Sequence, residues 1–152
     1  MKKIYVAGLV YMVAGLAAGL FYREYTKATD FTGTTQLAVL HTHLLALGML
    51  VMLIVLALDA AFALSGTRLF TLFFGFYNSG LVLTAGAMLV HGIRDVRGDE
   101  DLAAVAGIAG LGHILVTLGL IHLFLAIRKQ AAPRWRAELP TAPRDVETSD
   151  AG

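Results

Sequence analysis

The chain has 152 residues, 57% of them apolar and 15% charged, with a net charge of +1. A soluble domain carries about a quarter charged residues, and a nucleic-acid binder shows a basic patch interleaved with aromatics; neither pattern is present here. The absence of cysteine excludes disulfides, thiolate ligands, iron–sulfur clusters and thioether-linked haem, so any metal must take histidine, carboxylate, methionine or neutral oxygen ligands.

Charge is nearly absent from four stretches at roughly 4–22, 37–58, 69–90 and 106–128, each long enough to cross a hydrocarbon layer of about 30 Å as a helix. The first follows Lys2 and Lys3 like a secretion signal, yet it is long and lacks a small-x-small cleavage site, which favours a retained helix. Gly15 and Gly19, beside Ala14 and Ala18, form a small-residue pair suited to close helix contact. The second stretch opens on His41-Thr42-His43 and continues through Val51-Met52-Leu53-Ile54-Val55-Leu56, a run without the in-out alternation of a barrel strand. The third carries Tyr77, Asn78, Ser79 and Thr84, a second small pair at Gly75 and Ser79, and ends at His91. The fourth carries His113, Thr117 on the same expected inward stripe, and His122. Beyond it lie Pro133, Pro140 and Pro143, with Trp135 between Arg134 and Arg136 as a headgroup-level anchor. The reading is all-α: an integral membrane bundle of four transmembrane helices in up-down topology over residues 1–130, then a flexible cytoplasmic tail over 131–152.

Near the spans, Lys2, Lys3, Arg68, Arg128, Lys129, Arg134 and Arg136 fall on one side, and Arg23, Lys27, Arg94 and Arg97 on the other. This asymmetry places both termini in the cytoplasm. The up-down order then brings His41, His43, His91 and His113, from three helices, to nearly one depth at the outer face. His122 lies nine residues beyond His113, about 13.5 Å deeper and on the opposite side of an ideal helix. His41 and His43 are about 200° apart on a regular helix, so both cannot reach one small metal; one faces the bundle and the other a second cofactor, subunit or interface.

Ionisable side chains within a span usually face a bundle interior, a partner or a cofactor. Two imidazoles from different helices can clamp a haem iron, and small residues leave room for its ring. The expected pair is one of His41 and His43 with His113. His91 stands nearby, and Arg94 or Arg97 is placed to meet the propionates. Copper is the alternative, since several neutral imidazoles suit it. Zinc is less apt, because the constellation has no clear base for an activated water; Glu24 either contributes a carboxylate or sits exposed in its loop.

Several blocks carry a family resemblance: Phe21-Tyr22-Arg23-Glu24 through Phe31-Thr32-Gly33, His41-Thr42-His43-Leu44-Leu45-Ala46-Leu47-Gly48-Met49, Tyr77-Asn78-Ser79-Gly80, His91-Gly92-Ile93, and Gly107-Ile108-Ala109-Gly110-Leu111-Gly112-His113. Together they resemble the DUF2871 family of small bacterial four-helix membrane proteins, over nearly everything up to Arg128. The resemblance implies the bacterial inner (plasma) membrane and no particular activity. A looser similarity runs to the main subunit of haem–copper oxidases and nitric-oxide reductases, where a His-x-His helix supplies axial ligands on two faces. Only His41 and His43 fall on that pattern. This chain has four expected spans rather than twelve and no adjacent His-His pair, which argues against terminal oxygen reduction. The expected function is a haem b-binding membrane protein in electron transfer or gas sensing, with membrane lipids, a quinol or another redox partner, and a homo-oligomeric assembly. Metal-ion handling or transport, and a structural assembly subunit, are the alternatives.

Overall fold

The computed structural model describes residues 1–100 and 103–137. Every described element is helical: α1 (Lys2–Ala28), α2 (Leu37–Phe62), α3 (Arg68–Arg97) and α4 (Ala103–Ala137), with a 3₁₀ turn at Leu64–Gly66. All four helices are long and apolar enough to cross a membrane. Leu16, Leu20, Val82, Ile114, Ile121 and Phe124 point out of the bundle. An aqueous protein would bury such side chains; in a bilayer they face acyl chains. The chain is a multi-pass membrane protein.

Helix contacts follow the small residues. Gly15 packs on Leu45 of α2, where an added Cβ would lie 2.7 Å from Leu45 Cδ2, and Gly19 packs on the His41 ring. The tightest crossing joins α3 to α4. A Cβ on Gly80 would stand 2.6 Å from the Gly112 carbonyl, and one on Gly119 would stand 2.8 Å from the Tyr77 nitrogen. The pair expected at Gly75 and Ser79 makes no such contact: both residues are exposed, and a Cβ at Gly75 would meet nothing within 4 Å. Four-residue spacing identifies a smooth stripe but not what faces it.

Polar links tie the helices where apolar packing is weakest in direction. Tyr11 donates its hydroxyl to Asn78 Oδ1 at 2.8 Å, joining α1 to α3. Tyr77 donates to the Leu47 carbonyl at 2.8 Å, joining α3 to α2. That carbonyl lies within a π-helical segment of α2, Leu44–Leu50, where wider turns loosen the regular ladder. Gly48 in the same segment lies so close to the Tyr11 ring that a side chain would have no room.

At the Met1 end, buried Asp59 accepts from Ser65 N at 2.6 Å and pairs with the Met1 ammonium at 3.3 Å. Lys3 stands over Phe70 and Phe74, 5.2 and 5.1 Å from the ring centroids. At the His91 end, Thr35 donates to the Gly92 carbonyl at 2.8 Å, and Gln36 N donates to Asp95 Oδ2 at 2.9 Å. This clasp fixes the start of α2 against the last turns of α3.

The fourth helix runs further than the sequence suggests. It continues through Pro133 to Ala137, past the expected start of the tail at 131. Pro133 lies four residues before that end and removes one backbone donor from the last turns of the helix. The rest of the expected tail lies outside the described residues.

Candidate functional site

Three helices each turn one stripe toward a cavity of about 490 Å³. From α2 and its N-cap come Gln36, Val39 and His43; from α3 come Thr84, Ala87, Met88, His91 and Asp95; from α4 come Ala106, Ala109 and His113. Spacings of three and four residues keep each set on one helical face. Alanines at 87, 106 and 109 leave the space open, and the clasp of Thr35 on Gly92 and of Gln36 on Asp95 sets the height of His43 relative to His91.

The structure thus brings together His43, His91 and His113. His41 lies elsewhere, its ring against Gly19 of α1 and its Nδ1 buried without a hydrogen-bond partner among the described residues. The two histidines of the His-x-His pattern do face different sides, even though α2 passes from α-helical to π-helical geometry immediately after His43. Thr42 donates locally to the Val39 carbonyl at 2.7 Å.

Backbone carbonyls orient the imidazoles. His43 Nδ1 lies 3.0 Å from the Val39 oxygen, and His113 Nδ1 lies 2.8 Å from the Ala109 oxygen. Two carbonyl acceptors demand protons on both Nδ1 atoms, which leaves each Nε2 with a lone pair in the neutral ring. A carbonyl accepting from the other ring nitrogen is how a metal-ligating imidazole is ordinarily held in its tautomer. At the floor, the Thr84 hydroxyl is buried and has no hydrogen-bond partner among the described residues. A buried unpaired hydroxyl costs about 1–3 kcal/mol, so it favours a polar atom entering the cavity.

Other expected residues stand apart. Arg94 spends Nε and Nη2 on the Glu100 carbonyl, the former at 3.0 Å, and pairs with Asp99 at 4.0 Å. Arg97 donates to the Tyr25 hydroxyl oxygen at 3.3 Å. Glu24 pairs with Arg23 at 3.5 Å, both exposed. Thr117 is exposed and bonds the His113 carbonyl at 2.9 Å, so the expected inward stripe below His113 is not present. His122 bonds the Leu118 carbonyl at 2.7 Å and packs on Phe76, with centroids 5.6 Å apart. Asp95 and Gln36 belong to the cavity although both lie outside the apolar stretches at 37–58 and 69–90. The four-residue step from His91 to Asp95 was the available signal.

Among the described residues, no three His, Cys, Asp or Glu side chains gather at a spacing that would hold one metal ion. The imidazoles ring a space instead of meeting at a point. In comparisons with known proteins, the family described as "Protein of unknown function (DUF2871)" matches residues 1–130. No curated protein and no solved structure matches the chain.

Proposed function

Because the chain belongs to the DUF2871 family, a family described only as of unknown function, we propose from the cavity itself that it is a haem-binding integral membrane protein, a small b-type cytochrome for electron transfer or gas response. The observation that carries this reading is the placement of His43, His91 and His113, from three helices, around one cavity of about 490 Å³. That volume lies within the ordinary range for cofactor pockets, roughly 300–1,000 Å³.

The residues fit the group chemically. His43 and His113 come from α2 and α4, and their Nε2 atoms are left for iron by the Val39 and Ala109 carbonyls. Ala87, Ala106 and Ala109 supply flat apolar walls, and Met88 a polarizable one. His91 and Asp95, one helical turn apart, line the same cavity, and Asp95 Oδ2 accepts from Gln36 N there at 2.9 Å. Haem, when bound, supplies one-electron chemistry or a site for a diatomic gas. A quinol or another redox partner, a homo-oligomeric state, and a bacterial inner-membrane location with cytoplasmic termini belong to the same proposal.

The test is haem content per polypeptide with reduced-minus-oxidised spectra, for the parent and four alanine variants matched for folded protein. His43→Ala and His113→Ala should each shift the Soret and alpha bands and lower occupancy by tenfold or more, equivalent to at least about 1.4 kcal/mol. His41→Ala and His122→Ala should keep the parent spectrum. A parent that takes up no haem when haem is supplied, or a His113 variant with normal spectrum and occupancy, would overturn the assignment. Stoichiometric copper in a colourless parent would replace it with metal-ion handling.

A further inference from the structure

A second and larger cavity lies on the other side of the α2–α3 wall, in the same half of the bundle. It is a groove of about 590 Å³ between α1 and α3, floored by Leu40 and Leu44 of α2. Small side chains make it: Ala14, Ala17 and Ala18 on one wall, Ala85 and Gly86 on the other. Its α3 wall runs from Val82 to Ile93, about 16 Å at helical rise. Half of a hydrocarbon core of about 30 Å is nearly the same length. The groove therefore matches one leaflet, whereas a transmembrane helix from another copy would need both.

Its outer rim is polar and carries the cationic Arg97, with the Asp99 carboxylate acting on it from beyond the end of α3. One turn beyond Phe21 on α1 stands Tyr25, the two rings stacked with centroids 5.2 Å apart. One turn beyond Ile93 on α3 stands Arg97, exposed, with Nε donating to the Tyr25 hydroxyl oxygen at 3.3 Å across the gap. An apolar slot of one-leaflet depth, closed at the interface by an arginine and a tyrosine, is complementary to a lipid with a negative headgroup. Among the described lining residues, Tyr11 carries a hydroxyl, and its proton goes to Asn78. A quinone carbonyl within the slot would thus meet no free hydroxyl, and the donors at its rim are those of Tyr25 and Arg97.

We propose that this groove binds one acyl chain of an anionic phospholipid whose phosphate is held at the rim by Arg97. The site is separate from the histidine cavity and does not depend on its occupant. The apolar chain fills space left by alanine and glycine, and the guanidinium gives preference for a net negative headgroup. A basic side chain near a charged lipid surface contributes about 1 kcal/mol, which is about fivefold in affinity.

The full chain, purified in a mild detergent, is titrated with phosphatidylglycerol and with phosphatidylcholine and weighed by native mass spectrometry. The parent should retain one phosphatidylglycerol about fivefold better than phosphatidylcholine. Arg97→Gln should bring the two lipids to parity. Gly86→Phe should lose the lipid adduct, and it should fold, because a Cβ at Gly86 meets nothing within 4 Å. Unfolding temperatures matched to the parent check both variants, and Arg97→Gln decides alone if Gly86→Phe does not fold. Equal retention of the two lipids by the parent, or an undiminished adduct in folded Gly86→Phe, would overturn the proposal. So would a dimer mass abolished by Gly86→Phe, which would assign the groove to a second copy, or a quinone adduct that phosphatidylglycerol fails to displace.

Discussion

Tyr11 and Asn78 show what a single polar contact does between lipid-embedded helices. The Tyr11 hydroxyl donates to Asn78 Oδ1, and Asn78 Nδ2 donates in turn to the Phe74 carbonyl at 2.7 Å. Interhelical hydrogen bonds in membranes average about 0.6 kcal/mol, because partly unfolded helices also find partners. Tyr11→Phe should therefore lower stability by about 0.6 kcal/mol, and the same change in an Asn78→Leu background should cost close to nothing. Unfolding in a denaturing detergent, run as a double-mutant cycle, measures the coupling; full additivity would show that the contact contributes no pair energy. At this scale the sequence was half informative. Histidine, asparagine and tyrosine within apolar stretches stood out as expensive residues needing partners. Which partner each has depends on helix rotation, and rotation is a tertiary property. His41 and His43 illustrate this: two residues apart in sequence, one meets α1 and the other the cavity.

The glycines were legible as contact formers, yet only some make the contacts their spacing suggested. Gly15 and Gly19 meet α2, whereas Gly75 and Ser79 face outward and the close α3–α4 approach uses Gly80, Gly112 and Gly119. Gly80→Leu should disrupt that crossing, since overpacking a tight contact costs about 1–3 kcal/mol or more. Gly75→Leu should leave the monomer's stability unchanged within about 0.5 kcal/mol. Thermal unfolding of the two variants side by side is the measurement, and equal losses would contradict the placement of these faces. The π-helical segment left no local mark in the sequence. It accompanies a carbonyl pledged to Tyr77 and a glycine pressed on Tyr11, both supplied by other helices.

The number, order and approximate limits of the four membrane-crossing helices were readable from composition, because a bilayer demands long apolar runs with satisfied backbones. The orientation rests on the basic residues. Cysteines at Gly66, in the exposed turn before α3, and at Asp99, just beyond its far end, should report opposite sides. In intact cells an impermeant thiol reagent should modify the Asp99→Cys variant and spare Gly66→Cys; the reverse pattern would invert the assignment. The wide turns of Leu44–Leu50 also carry a consequence for the molecule's angular phase. Each such turn closes over one more residue than an α-turn, so α2 holds surplus length between His43 and Met52. Deleting Ala46 would remove that surplus and return the segment to regular winding with both ends in phase, whereas deleting a residue from a regular turn, at about 100° per residue, would swing one half of α2 against the other. In the latter case either His43 would leave its cavity, or Met52, Val55 and Asp59 would leave the core. The wide turns therefore act as the gearing that takes up the surplus and keeps the two ends of one helix in step with different neighbours.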